Sequence, residues 1–183
     1  LHGEEEFFIR ESLSLLKSVF LKGSDVSTSF TEFDGVSRAT ISESLELAED
    51  EAVPKVDSPG QTISGSAVFD ELRTTPLFGA TGRRMVVVEN ADDFIGKYKN
   101  LLEKYLDAHA PYSCLVLICK KLDKRTTLAA KINRIGGEIE CKRLREDYLP
   151  LWIQTRAKHY DKTIAPQAVQ SLIECVGNKP ALI

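Results

Sequence analysis

Gly3 lies where a nucleotide-binding α/β protein places its phosphate loop, between a short first strand and the first helix. The P-loop pattern requires a second glycine five residues later, followed by Lys and Ser or Thr, but residues 8–10 are Phe-Ile-Arg. Three glutamates at 4–6 would place negative charge where backbone amides should bind a triphosphate, so Coulomb repulsion opposes binding. We therefore predict that this domain does not hydrolyse ATP.

Glu89 and Asp92 follow a predicted buried strand, at the point where a P-loop ATPase holds magnesium with a carboxylate. Because the lysine and the hydroxyl residue of a phosphate loop are missing, these carboxylates lack the partners needed to bind magnesium with a nucleotide. We therefore expect a turn at Glu89 and a helix cap at Asp92, and no metal site.

Leu77 and Phe78 form a large apolar pair in a loop bracketed by Pro76 and Gly79. Two such side chains are costly to expose to water unless a partner covers them, which favours docking onto another protein. The alternative is ordinary packing of the loop against the sheet, and the pattern alone does not decide between the two.

A basic region lies between residues 120 and 134, and it allows two interpretations. It either contacts DNA phosphates, with Lys121, Lys124 and Arg125 as candidate contacts, or it is a solvated helix face. The second interpretation is favoured because no aromatic residues are interleaved for base stacking. Arg83 and Arg84, which precede the third strand, are interpreted as a strand start with partly exposed side chains, or as a rim contact to a partner.

The cysteines and histidines show no catalytic or metal-binding spacing. A zinc site normally needs four ligands in tightly spaced pairs, so reduced core cysteines are expected, with the histidines at the surface or at helix ends. The residues concerned are Cys114, Cys119, Cys141, Cys175, His2, His109 and His159.

Charge and hydropathy argue against two further classes of protein, autonomous nucleic-acid binders and membrane-spanning proteins. The 24 basic and 27 acidic residues give a net charge of −3, which offers no case for strong autonomous binding to nucleic acid. No apolar run approaches the roughly 20 residues that a membrane-spanning helix needs. A chain of 183 residues is long enough for one good core and a small second unit.

Hydrophobic periodicity predicts alternating strands and helices up to about residue 143, and helices alone after it. This order is typical of a three-layered α/β domain with a parallel sheet. An acidic, Pro- and Gly-containing stretch at about 37–65 is expected to be a flexible insertion, with Ser66 capping the helix that follows. The predicted strands are 29–33, 85–88, 114–119 and 138–142, and the predicted helices are 4–22, 66–74, 92–106, 124–135, 146–160 and 166–176.

Ten short segments, taken in order, make the chain similar to the delta subunit of the bacterial DNA polymerase III clamp loader. Each segment alone is weak, whereas the ordered set is specific and covers nearly the whole chain except the insertion, which looks longer than usual for this family. The segments are GEEEF at 3–7, FDG at 33–35, PLFG at 76–79, RRMVVVENA at 83–91, LVL at 115–117, KLDKR at 121–125, CK at 141–142, LPLWI at 149–153, RA at 156–157 and VGN at 176–178.

The resemblance implies a degenerate AAA+ module of the P-loop NTPase type at 1–143 and a small helical lid domain at 144–183. It implies no cofactor and no ATPase activity of the chain itself, although the DNA-directed DNA polymerase III holoenzyme has nucleotidyltransferase activity. Family members continue into a helical collar domain, so a chain that stops at residue 183 is expected to be a fragment.

The resemblance also implies the function and the partners. The delta subunit binds the ring-shaped sliding clamp and opens it or holds it open, and the implied clamp contacts here are Leu77 and Phe78. The other implied partners are the ATPase subunits, a delta-prime-like subunit and primer–template DNA within the complex, in the bacterial cytoplasm at the nucleoid-associated replisome and without a membrane. The alternatives are a nucleotide-dependent AAA+ ATPase or switch, and a module that binds DNA directly.

Overall fold

The computed structural model describes residues 1–36, 64–74, 82–108 and 110–183. Leu77, Phe78, His109 and nearly all of the predicted insertion lie outside these described residues. The last residues of that insertion belong to ordinary structure, because Ser64 and Gly65 begin a helix.

The strands form one parallel arrangement in the order β2-β3-β4-β1-β5. Two hydrogen-bonded groups, β2-β3-β4 and β1-β5, are connected by a parallel bridge between His2 and Cys119. The amine of Leu1 also donates to the carbonyl of Leu117 at 2.8 Å. The strands are β1 (His2–Gly3), β2 (Phe30–Asp34), β3 (Arg84–Glu89), β4 (Ser113–Leu117) and β5 (Glu140–Cys141).

The predicted helices are all present, with ends shifted by capping residues. Thr126 accepts a hydrogen bond from the amide of Ala129, so the helix predicted from residue 124 begins three residues later. Ser64, not Ser66, caps the helix before the third strand. The helices are α1 (Glu6–Phe20), α2 (Val26–Ser29), α3 (Gly65–Arg73), α4 (Asp92–Asp107), α5 (Thr127–Arg134), α6 (Leu149–His159) and α7 (Pro166–Val176).

The β3 strand is covered on both faces, as its β-branched run predicted. Val86 and Val88 pack into a cluster with residues of α3, α4 and α5. Met85 and Val87 point to the opposite face and pack with Leu13 of α1. Two helical layers therefore enclose the sheet, and functional groups can be presented only at its ends.

After β5 the described elements are helical. Leu149, Ile153 and Val169 form a third cluster that holds α6 against α7. Trp152 is half-buried and contacts the rings of Phe7 and Phe8 at the start of α1. An aromatic contact thus joins the helical part to the α/β part.

His2 is buried, so the expectation of a surface position was wrong. Its side chain lies on β1, between β4 and β5, and its Nε2 is 2.9 Å from Oε1 of Glu138. Cys119 and Cys141 are buried and unpaired, as expected for core cysteines, whereas Cys175 is exposed.

Gly3 is required by the approach of β1 to β5. Its φ is 141°, and a Cβ added there would lie 2.1 Å from the carbonyl oxygen of Cys141. We expect Gly3→Ala to lower the free energy of unfolding by about 2 kcal/mol or more, measured by chemical denaturation.

The matched control is Gly96→Ala on the exposed side of α4, where an added Cβ meets nothing within 4 Å. This change should stabilise the protein by about 0.5–1 kcal/mol, because glycine is a poor residue in a helix. A Gly3→Ala protein as stable as the parent would contradict the described packing of β1 on β5.

Candidate functional site

One candidate site lies at an end of the sheet that the structure describes, and the other candidate, the predicted clamp contacts, is known only by its place in the sequence. The strands are parallel, so the loops after β1, β3 and β4 meet at the carboxyl end, where ligands usually bind in open α/β sheets. The segment 75–81, which contains the predicted clamp contacts, connects α3 to the start of β3 at the amino end.

A cleft of about 1490 Å³ lies at the carboxyl end of the sheet, where an active AAA+ protein would bind nucleotide. Gly3, Arg10, Glu89 and Lys120 are among the residues that line it. The cleft holds charges of both signs, so its chemistry depends on how these charges pair.

The start of α1, where the P-loop pattern would hold phosphate, is bonded to β5. The amide of Glu5, at the start of α1, donates to the carbonyl of Cys141 at 3.2 Å. Gly3 lies against the same carbonyl. An amide that a P-loop would offer to phosphate is therefore used to hold β5 in place.

Arg10 stands where the P-loop pattern requires the serine or threonine that binds magnesium, and it is engaged by carboxylates. Its guanidinium lies 3.3 Å from Glu89 and 3.5 Å from Glu6. These exposed pairs are individually weak, but they direct the cation toward the protein's own acids.

The two carboxylates at the end of β3 and the start of α4 have different structural roles. Both oxygens of Asp92 accept from the amide of Lys120 at 3.1 Å, so Asp92 ties α4 to the segment after β4 and does not cap its own helix as expected. Glu89 is the last residue of β3, and the turn falls on Asn90, whose φ is 48°. Among the described residues, no cluster of three His, Cys, Asp or Glu side chains is arranged to hold a metal.

Glu89 has an unusual electrostatic environment. Burial and the neighbouring Glu32 raise its pKa above the ordinary value for glutamate, and Arg10 only partly opposes this effect. The ionised form of Glu89 is therefore less favourable in the folded protein than in the unfolded chain.

The candidate DNA contacts differ in how they are paired. Lys124 lies 3.4 Å from both Glu138 and Glu140, and Arg125 lies 3.1 Å from Asp123. Lys121 makes no ion pair with any residue that the structure describes. All three cations line the cleft, and within the described part of the chain Lys124 and Arg125 form ion pairs with carboxylates whereas Lys121 does not.

At the amino end of the sheet, Arg84 is the first residue of β3, and its side chain is bonded to two helices. The residue is 8% exposed, and its Nε donates to the carbonyl of Glu71 at 3.3 Å. Its two terminal nitrogens donate to the carbonyl of Thr28 and to the carboxylate of Glu71. The expected partly exposed side chain is wrong for Arg84, which instead connects α2, α3 and β3.

Neighbouring contacts also hold the start of β3 in place. Arg83 donates to the carbonyl of Phe20 at 2.9 Å and lies over its ring, 5.6 Å from the centroid. The amide of Arg84 donates to the carbonyl of Tyr112 at 2.8 Å. The start of β3 is therefore fixed from both of its sides.

A profile of the family described as "DNA polymerase III, delta subunit" matches residues 48–142, which is more than half of the chain. The chain belongs to this family. A curated relative, DNA polymerase III subunit delta from Bacillus subtilis (strain 168), is 25% identical over 187 residues, which cover 97% of this chain and 46% of the relative.

The fold agrees with the family assignment. The solved Bacillus subtilis DNA clamp loader delta protein superposes with a TM-score of 0.68 at 23% identity, covering 99% of this chain and 48% of that protein. The expected three-layered α/β fold is confirmed and is consistent with the AAA+ type. The chain spans about half the length of these two proteins, and none of its described helices is long and apolar enough to cross a membrane.

The pair formed by Glu71 and Arg84 in this delta-family chain was not predicted from the sequence. One signal was available, because an arginine directly before a fully buried apolar strand needs a partner unless its side chain escapes to water. Helical spacing on α3 did not identify Glu71 as that partner, since the two residues meet only when α3 packs on the sheet.

The bonding of the start of α1 to β5 leads to a prediction about nucleotide binding. Saturating MgATP should leave the melting temperature of this protein unchanged, because only a ligand that binds the folded state stabilises it, by about 2.7 kcal/mol at one hundred times its Kd. An ATPase-competent AAA+ protein measured in parallel serves as the positive control. A saturable, magnesium-dependent rise in melting temperature would show that the cleft binds nucleotide despite Gly3 and β5.

The environment of Glu89 leads to a prediction about pH. A raised pKa in the folded state favours folding while the carboxyl is protonated, and this contribution is lost as the pH rises through the folded pKa. Glu89→Gln should therefore raise the melting temperature slightly at pH 7, with the gain disappearing in acid. Glu6→Gln, which also removes a partner of Arg10, should give no gain at pH 7. A gain for Glu89→Gln that persists at pH 4 would contradict the assigned electrostatics.

Proposed function

We propose that this chain is the clamp-contacting part of a delta subunit, which binds the DNA sliding clamp and opens its ring, or holds it open, during replication. Membership of the delta family supports the proposal. The observation that carries it is the contact of Gly3 and Glu5 with the carbonyl of Cys141, at the point where a P-loop would hold phosphate. A fold that keeps the AAA+ architecture without its phosphate site is suited to act as a scaffold for partners.

The proposed clamp anchor is Leu77 with Phe78. The proposal rests on the resemblance and on the bracketing Pro76 and Gly79, because the pair lies outside the described residues. The described flanks agree with a presenting function, since Arg83 and Arg84 hold the start of β3 firmly in place. An apolar anchor on a firmly held base suits a partner with a hydrophobic pocket.

We further propose that the chain is divided into two domains. Residues 1–143 form the degenerate AAA+ module and 144–183 the lid domain, a division supported by the separate core of α6 and α7. The proposed partners are the ATPase subunits, a delta-prime-like subunit and primer–template DNA in the assembled loader, in the bacterial cytoplasm. The chain is proposed to have no catalytic activity of its own.

A direct contact with DNA is the second candidate function. Lys121 supports it, because this lysine has no ion pair within the described part of the chain and lies at the rim of the cleft. The carboxylates beside Lys124 and Arg125 weaken it, because paired cations have less charge to offer to phosphates.

The clamp anchor is tested by replacing Leu77 and Phe78 together with alanine in the full-length subunit. Anchors of this kind contribute about 2 kcal/mol or more each, so affinity for the cognate clamp should fall by roughly 10²- to 10³-fold. The measurement is surface plasmon resonance on immobilised clamp, with circular dichroism and melting temperature recorded for each variant. Both folding measurements should stay close to those of the parent.

The matched control replaces Leu15 and Val19 with alanine. These side chains are each 64% exposed on α1, so the change removes a similar apolar pair from another surface. Clamp binding should be unchanged in this control. Normal binding by the Leu77/Phe78 variant, or loss of its fold, would show that the pair is not the anchor.

A further inference from the structure

We propose that the start of α1, where the P-loop pattern is lost, has a structural task of its own, which is to fix the position of α6 and α7. Phe8 stands where the P-loop pattern requires its second glycine, and its ring contacts Trp152 of α6. This inference goes beyond the proposed function, because it uses only described contacts and does not depend on clamp binding.

The helical part of the chain, α6 with α7, has a core that it does not share with the sheet. Leu149, Ile153 and Val169 form its centre, and within the described part of the chain no residue before Leu144 belongs to this cluster. The side-chain amide of Asn178 donates to the carbonyl of Leu144 at 2.7 Å, which closes the helical part on itself. Its position relative to the sheet is therefore set by the connecting chain and by contacts outside this core.

Three aromatic rings form such a contact. The centroid of the Trp152 ring lies 6.0 Å from that of Phe7 and 5.8 Å from that of Phe8, with interplanar angles of 87° and 78°. The rings of Phe7 and Phe8 are themselves 5.6 Å apart at an angle of 68°. Aromatic rings favour this edge-to-face arrangement, so the contact has a defined geometry.

Arg156 adds a cation to the same contact. Its guanidinium carbon lies 5.0 Å from the centroid of Phe7 and 5.4 Å from that of Trp152, and its Nη1 donates to the carboxylate of Glu11. Trp152 and Arg156 are one helical turn apart on α6, as Phe7 and Glu11 are on α1, so each helix contributes one face. Arginine suits this place, because its planar group can lie against rings and bind a carboxylate at the same time.

The identity of residue 8 connects this contact with the loss of the phosphate site. A glycine at that place in the P-loop pattern lets backbone amides approach a phosphate, and it has no side chain that could bind another helix. In this chain the place is taken by the half-buried Phe8, which packs on Trp152. The same residue therefore removes a feature of phosphate binding and supplies an apolar contact for α6.

The experiment measures how the two parts of the 183-residue chain tumble in solution, by NMR relaxation of their backbone amides. In the parent, α6, α7 and the sheet should have one common rotational correlation time. In a variant with Phe8→Ala and Arg156→Met, the correlation time of α6 and α7 should fall to about half that of the sheet, because a small unit on a short tether reorients on its own.

The fluorescence of Trp152 gives the second readout. Trp152 is the one tryptophan of the chain, so its quenching by acrylamide reports directly on this contact. Quenching should be stronger in the double variant than in the parent, because the indole ring loses the cover of α1. Arg156→Met alone should give a smaller increase, and it carries the test if the double variant does not fold.

The matched control is Arg145→Met. Arg145 also lies over an aromatic ring, 5.7 Å from the centroid of Tyr148, and also pairs with a carboxylate, that of Asp147 at 2.9 Å. Both of these partners lie within three residues of Arg145, so the contact does not connect the helical part to α1. This control should leave both the tumbling and the quenching unchanged.

Three results would overturn the inference. They are common tumbling in the double variant, separate tumbling of α6 and α7 already in the parent, and equal loosening by Arg145→Met. Hydrogen exchange separates release from unfolding, because the amides of α7 should stay as protected as in the parent. Loss of that protection would mean that the rings only stabilise the core of the helical part, and it would also overturn the inference.

Discussion

The enclosure of β3 between two helical layers is the constraint on which the rest of the structure depends. Met85, Val86, Val87 and Val88 are completely buried, with alternate side chains in two separate clusters. A strand of this kind must run through the middle of a parallel sheet, with helices on both faces. Polar chemistry is therefore confined to the two ends of the sheet.

The two ends of the sheet differ in how their charged and polar groups are bonded. At the carboxyl end, the carbonyl of Cys141 takes the amide of Glu5, and Arg10 pairs with nearby carboxylates. A backbone amide and a cation that line the cleft are thus bonded within the protein itself. At the amino end, Arg83 and Arg84 bind backbone carbonyls and fix the frame of the connection before β3.

The Arg84–Glu71 pair illustrates how a charge is accommodated beside an apolar strand. Each of the three guanidinium nitrogens donates one hydrogen bond, so none of these buried nitrogens is left without an acceptor. The same satisfaction of every group makes the pair sensitive to substitution, because removing one partner leaves the other charge buried alone. A local electrostatic requirement thereby becomes a constraint on how α3 packs beside β3.

The fold class and most elements were predictable from the sequence for a simple reason. Hydrophobic periodicity and turn residues are local, so they identified α7 exactly and the strands β2 and β3 to within a residue or two. The missing P-loop residues were equally local. Capping was less certain, because Ser64 and Ser66 are both plausible caps and only the backbone path selects Ser64.

Tertiary structure decided what depends on residues distant in sequence. His2 is buried because β1 lies between β4 and β5, and Asp92 binds the amide of Lys120 because β4 brings it there. The partnership of Arg84 with Glu71 likewise exists only once α3 lies on the sheet. The sequence by itself determined most helices and strands and the absence of P-loop residues at 3–10, since both depend only on residues that are close in sequence. The pairing of charges required the fold, since partners are set by strand order and helix packing.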